Sequence, residues 1–492
     1  MRAPTPQRNA ATNWSWHRVS KRLPALVPVA LGALTTVGLL LLLGRYGYDD
    51  PYITYRYADN LLAGNGLVYN VGQHTLSTTT PFYAVLLAGL GLVWRDLPRL
   101  SNCVSVLSVV TAAALLVAWA RDPGQRAGGM IAGLLLSVWP LLLQTTGAEI
   151  CFFLVLVLAG LCAAERSRLG LAAGALALAT MVRPEGLLAA LVVGLVSLAR
   201  RRSLPWRPVL LYLGLMAIWY SALWLEFGSP LPVTLAAKQQ QARMGTGTRF
   251  ETGFLQLLRQ YSQQPLYWLH GAMALVGLEQ VVVRARHWGG LLAWTALYFV
   301  GYSVLGVNRY FWYYAPLVPA ATVLIGEGVV GVVRGLAHLR LPRPALAGLA
   351  ALLVVCLLAL PLAGSLSIAW RPDSRLDVYR EIGEWLQAET PAGATVGALE
   401  VGIIGYYARR PMIDFAGLIQ PQVAAQLDAA GNYGRSATWA IQHDWPDYVV
   451  LQQPAFSGLA ATGWFRASYA PVRQSAGGGT LWMTVYRHIA TP

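Results

Sequence analysis

PFYAVLLAGLGLVW (residues 81–94) is the apolar stretch on which the arrangement of the whole chain turns. Eleven other apolar runs approach the roughly 20 residues that a membrane-crossing helix needs. They lie at about 25–44, 101–120, 128–144, 150–164, 169–182, 186–199, 208–225, 266–283, 290–306, 314–333 and 345–366. If 81–94 does not cross, five basic turns share one side with the basic N-terminus: RDPGQR (121–126), ERSR (165–168), RRRSLPWR (200–207), RARH (284–287) and VVRGLAHLRLPR (332–343). That arrangement keeps Lys and Arg on the cytoplasmic side throughout. If 81–94 crosses, every one of those turns moves outside. The stretch is therefore expected to be a re-entrant or interfacial helix in an eleven-span chain.

Composition supports the membrane class. The 492 residues are 56% hydrophobic and 12% charged, about half the charged fraction of an average soluble domain, with a mean hydropathy of +0.48. The net charge of +15 is scattered between apolar runs instead of gathered in a patch, which argues against nucleic-acid binding. Cys103, Cys151, Cys162 and Cys356 lie in apolar segments without a CxxC pair and read as small buried hydrophobes. The basic N-terminus and the long run after it read as an uncleaved first span behind a cytoplasmic tail, 1–24.

The topology sends 45–100, the turns 144–149 and 182–186, the loop 226–265, the loop 306–314 and everything after about 367 to the external side. From Arg371 the pattern changes to one amphipathic helix and short runs ATVGAL, PMIDF, DYVVLQ and LWMTVYRH, which predict an external α/β domain over 367–492. Its GALEVGIIG lacks the spacing of a dinucleotide-binding turn. The expected architecture is a polytopic α-helical membrane domain, 25–366, carrying that domain at its C-terminus.

Chemistry is sought on the external face. In GRYGYDDPYITYRYADN (44–60), Asp50-Pro51 reads as a helix start with Asp50 as N-cap, a position that suits a cation ligand or a structural role. Asp49 is left over, and a partly desolvated carboxylate turned towards a cavity would serve as general base. Tyr52, Arg56 and Asn60 share a face of the following helix, directed either to substrate or to water. Glu149, in QTTGAEICFF, stands at a span end and with Asp49 or Asp50 offers oxygen ligands to a divalent cation. Arg183 and Glu185, in VRPEG, either pair with each other or reach substrate. Lys238 and Arg309, each near aromatics, either anchor at the interface or hold a phosphate leaving group. His74 reads as a plain loop histidine.

YDDPYITYRYADNLLAGNGLVYNVG, TTGAE, RPEG, FGSPLPVTLAAK and RYFWYYAPLVP, in that order, resemble the GT-C superfamily of polytopic glycosyltransferases, near the terminal arabinofuranosyl, aminoarabinose and protein-mannosyl transferases. The resemblance implies transfer of a sugar, with inversion, from a polyprenyl phosphate to an acceptor hydroxyl of a glycan, lipid or protein at the outer face of the cell membrane. It implies that Asp49 or Asp50 deprotonates the acceptor, that Glu149 is the second acidic position, and that Lys238 and Arg309 are candidates for the lipid phosphate. A divalent metal bridges the acidic positions in some relatives and is not needed in others. GQHTLSTTTP departs from the family's usual loop, so the sugar cannot be carried over. A transporter or a non-catalytic envelope-assembly protein are the competing readings.

Overall fold

The computed structural model describes residues 47–489 apart from 120–125, 204, 246, 371–372, 428–431 and 477–481. The expected tail 1–24, first span 25–44 and most of the turn 121–126 lie outside the described residues.

Among the described residues fourteen principal helices precede the C-terminal region. They are α1 (Asp50–Leu62), α2 (Pro81–Gly91), α3 (Leu97–Trp119), α4 (Arg126–Val138), α5 (Ile150–Glu165), α6 (Leu169–Val182), α7 (Gly186–Arg201), α8 (Trp206–Phe227), α9 (Thr234–Arg243), α10 (Phe250–Ser262), α11 (Pro265–Val283), α12 (Gly289–Leu305), α13 (Val318–Ala337) and α14 (Arg343–Trp370). Ten of them, α3 to α8 and α11 to α14, fall on the apolar runs. Among the described residues, six helical stretches are long and apolar enough to cross a membrane, and α4 to α7 are shorter apolar helices between them. Pro140 ends α4 and starts a further turn, because proline cannot continue the hydrogen-bond ladder.

The stretch that opened the topology question is α2, of 11 residues. At 1.5 Å per residue it rises about 16 Å, half the thickness of a bilayer core. Tyr83, Leu87 and Ala88 are buried with Tyr55 of α1 and Leu97 of α3, while Val85, Leu90, Leu92 and Val93 are exposed. An apolar helix of that length, packed on one side and bare on the other, suits the interface better than a crossing.

The C-terminal region comprises α15 (Arg375–Glu389), β1 (Val396–Ala398), α16 (Ile403–Ala408), β2 (Met412–Asp414), α17 (Gly434–Asp444), β3 (Tyr448–Gln453), β4 (Tyr469–Ala476) and β5 (Trp482–His488). The strands form one mixed sheet in the order β2-β1-β3-β5-β4, parallel across β2-β1-β3 and antiparallel across β3-β5-β4. The sequence pattern misses β4. Its Pro471 and the register shift at Pro471/Arg473 weaken the strand signal, and both are tolerated because β4 is an edge.

This sheet does not stand apart from the first loop. Ile53, Tyr57, Tyr69 and Ala84 share one buried cluster with Val378, Ile382, Leu386, Val396, Ile404 and Val485. Polar contacts run along the same seam. Asn70 gives and takes a hydrogen bond with the backbone of Met412, each 2.9 Å, completing the ladder of the edge strand β2. The Tyr69 hydroxyl donates to the Val401 carbonyl at 2.6 Å. The first loop is thus clamped between the helices and the sheet.

Candidate active site

A cavity of about 310 Å³ opens where the ends of apolar helices meet the first loop. Asp50 and Thr54 of α1, Thr79 and Thr80, Glu149, Arg183, Glu185, Thr234, Lys238, Tyr302, Trp312 and Tyr313 line it. Five of the charged residues singled out from sequence therefore converge, from positions up to 188 residues apart.

Asp50 and Lys238 face each other, with Lys238 Nζ donating to Asp50 Oδ2 at 3.3 Å. Lys238 is one turn into α9 and lies 5.7 Å from the ring centres of Tyr310, Trp312 and Tyr313. Its burial works against the charge, but Asp50 and the Tyr313 and Tyr310 hydroxyls outweigh that and hold the ammonium above its ordinary pKa.

Opposite stands a second charged group. Arg183 donates to Glu149, to Glu185 at 2.9 Å and to Tyr302 at 2.9 Å, and the Tyr302 hydroxyl donates to Glu185. Two carboxylates on one guanidinium leave the group net negative. The turn that delivers Glu149 depends on Gly147, at φ +90°, whose carbonyl accepts from Tyr55 and Ser101 and whose N–H is taken by Ser105. Arg183 Nε and Glu185 Oε2 are buried without a partner among the described residues, as is Thr234 Oγ1. Native proteins leave few such atoms bare, so a donor, an acceptor and a hydroxyl lining one cavity point to a polar ligand.

The expected placements of the two aspartates are exchanged. α1 begins at Asp50, not after it, and Asp49 precedes it without capping it. The Asp49 carboxylate instead accepts the backbone N–H of Gly402 at 2.9 Å and of Ile403 at 2.7 Å, at the start of α16. Gly402 permits this approach, since a Cβ there would lie 2.0 Å from the Asp49 carbonyl. Asp49 is a docking residue, and Asp50 is the one in the cavity.

Three more expectations are corrected. Arg56 is buried away from the cavity, donating to the carbonyls of Tyr69 at 2.8 Å, Arg410 at 2.6 Å and Gly405. Tyr52 packs against Tyr55 and Tyr406, and Asn60 donates to Val68 and Tyr69. That helix face meets protein instead of substrate or water. Arg309 is exposed beyond the aromatic turn, bonded to Gln256. His74 is an exposed loop residue beside Glu226.

Asp50 and Glu149 line the same cavity, but each already holds a cationic side chain. Among the described residues no group of three or more metal-ligating side chains occurs. A divalent ion asking for six or more oxygens does not fit this donor set.

The seam carries three carboxyls raised mainly by burial: Asp49 to about 7, Glu400 to about 8 and Asp414 to about 6. Hydrogen bonds from Ile403 and Gly402 pull Asp49 back only partly, and the carboxylates repel one another. Raised acids favour the folded state when protonated, so their stabilisation is full below the ordinary carboxylate range and fades as pH climbs through these values. The protein is expected to melt higher at about pH 5.5 than at about pH 8.5, and Glu400→Gln to flatten that difference. A thermal midpoint that rises with pH over this window would contradict it.

Residues 369–486 match a family model described as a domain of unknown function (DUF8728). No curated protein matches the chain. Solved structures match its fold, two of them of one protein. The crystal structure of ArnT from Cupriavidus metallidurans bound to undecaprenyl phosphate covers 98% of this chain and 99% of its own, at 15% identity and a TM-score of 0.58. The apo form covers 96% and 99%, at 14% identity and a TM-score of 0.61. The chain therefore has an ArnT-like fold from end to end and is a multi-pass membrane protein, and the resemblance read from its motifs holds at the level of fold.

Proposed function

We propose that this protein is a membrane glycosyltransferase that moves a sugar from a polyprenyl-phosphate donor to an acceptor hydroxyl, with inversion, at the external face of the membrane. The observation that carries the reading is the Asp50–Lys238 pair inside a cavity at the ends of apolar helices. A base and a cation are what cleavage of a glycosyl phosphate requires, and a lipid-borne donor explains their place. The ArnT structure bound to undecaprenyl phosphate supports a polyprenyl-phosphate ligand on this fold.

The phosphate is assigned to Lys238 and to Thr234, at the N-terminal turn of the same helix, because the Glu149–Arg183–Glu185 group would repel an anion. That group faces sugar hydroxyls, which match its spare donor and acceptor. Lys238 turns from Asp50 to the arriving phosphate and releases the carboxylate. Asp50 takes the proton of the acceptor hydroxyl as its oxygen bonds the anomeric carbon. The bond from that carbon to the phosphate oxygen breaks, and the electron pair leaves with polyprenyl phosphate.

Purified protein in nanodiscs with a mixed pool of polyprenyl-phosphate sugars tests this. Release of polyprenyl phosphate is expected, and Lys238→Gln is expected to lower it about 10²-fold, the effect of removing one anion-stabilising donor. Solute flux in vesicles without any donor turnover would assign the protein to transport instead.

A further inference from the structure

On the other side of the aromatic turn 309–314 lies a larger cavity, of about 740 Å³, which the chemistry above leaves unused. Its lining is unusual. Gln144, Gln256, Gln260, Gln263 and Gln264 are five of the chain's twenty glutamines, and Tyr261 and Tyr267 stack beside them with ring centres 4.7 Å apart. Among the described residues no carboxylate lines it and the one cation is Arg309, bonded to Gln256.

We propose that this cavity binds the acceptor as a neutral oligosaccharide. The inference rests on the transferase reading and names its acceptor class. An amide both donates and accepts, as each sugar hydroxyl does, and tyrosine rings take the apolar face of a pyranose or furanose. A phosphorylated or acidic acceptor would meet a single cation that is already engaged. An acyl chain would place the amides of Gln260, Gln263 and Gln264 against hydrocarbon, which is unfavourable.

The position fits the role. Tyr310, Phe311 and Tyr314 face this cavity while Trp312 and Tyr313 face the Asp50 cavity, so consecutive residues of one 3₁₀ turn (Phe311–Tyr313) divide the two. A glycan held by the glutamines has only that turn to cross to present its terminal hydroxyl to Asp50. The stacked Tyr310 and Trp312 rings, 4.4 Å apart and 7° from parallel, offer it a platform.

The test uses the full chain in nanodiscs and a fluorescent pool of neutral gluco-, manno-, galacto- and arabino-oligosaccharides. Wild type is expected to bind at least one. Gln256→Leu with Gln260→Leu, and separately Tyr261→Ala, are expected to weaken binding about tenfold while hydrolysis of the lipid-linked donor is unchanged. Asp50→Asn is expected to bind the saccharide as wild type does. The inference is overturned if the donor is hydrolysed but no saccharide binds, if binding ignores both groove variants, or if only an anionic glycan or a long-chain phospholipid competes. Groove-dependent saccharide binding without any donor hydrolysis would instead remove the transferase reading and leave a glycan site.

Discussion

Asp50→Asn is expected to lower sugar transfer about 10³-fold, the loss typical of a missing general base, while Asp49→Asn keeps transfer within about tenfold of wild type. The difference follows from what each carboxylate touches. Asp50 lines the cavity and meets the Lys238 ammonium at 3.3 Å. Its amide replacement keeps the shape of the side chain and still accepts from Lys238, but takes no proton from a hydroxyl. Asp49 accepts the N–H groups of Gly402 and Ile403 with its two oxygens in a capping arrangement, and asparagine keeps one of these bonds and loses the other, a cost to stability that falls outside the cavity. Initial rates of polyprenyl-phosphate release, with thermal midpoints as a check on folding, decide the matter. Loss in Asp49→Asn alone, with normal melting, would restore the assignment drawn from local sequence.

The reason for the exchange bears on what a sequence can reveal. Apolar runs are visible because the bilayer demands them in one continuous piece, so α3 to α8 and α11 to α14 lie where hydropathy puts them, while α9 and α10 fall in a stretch read as a loop. Asp-Pro announces a helix start for the same local reason. Neither says that the N–H groups needing a cap belong to residues 353 and 354 positions away. Glu149, Arg183 and Glu185 were legible as charges at the ends of apolar runs and Lys238 as a loop cation near aromatics, and all four reach the cavity. Tyr302 was not. It lies inside an apolar helix like many structural tyrosines, and its role emerges only once Glu185 and Arg183 stand beside it. Arg309 shows the opposite error. It sits three residues from the first of the aromatics that face Asp50, yet the turn throws it to the other side.

Arg56→Met is expected to loosen the C-terminal sheet from the first loop by about 3 kcal/mol or more, roughly a hundredfold in the opening equilibrium. The guanidinium satisfies three carbonyls, of Tyr69, Gly405 and Arg410, from a buried position. Methionine fills much of the volume but donates nothing, so three buried acceptors lose a charged donor at once. Arg56→Lys is expected to fall between, since an ammonium lacks the planar fork that reaches three directions. Limited proteolysis of the C-terminal domain, read against the rate in wild type, measures the opening. Transfer is expected to fall with it, because Asp50 lies on the helix that Arg56 anchors, and the two effects should scale across Met and Lys. Undiminished protease resistance with lost transfer would mean that Arg56 acts on substrate after all. Both unchanged would mean that the buried cluster of Ile53, Tyr57 and Tyr69 with Val378 and Ile382 holds the seam without it.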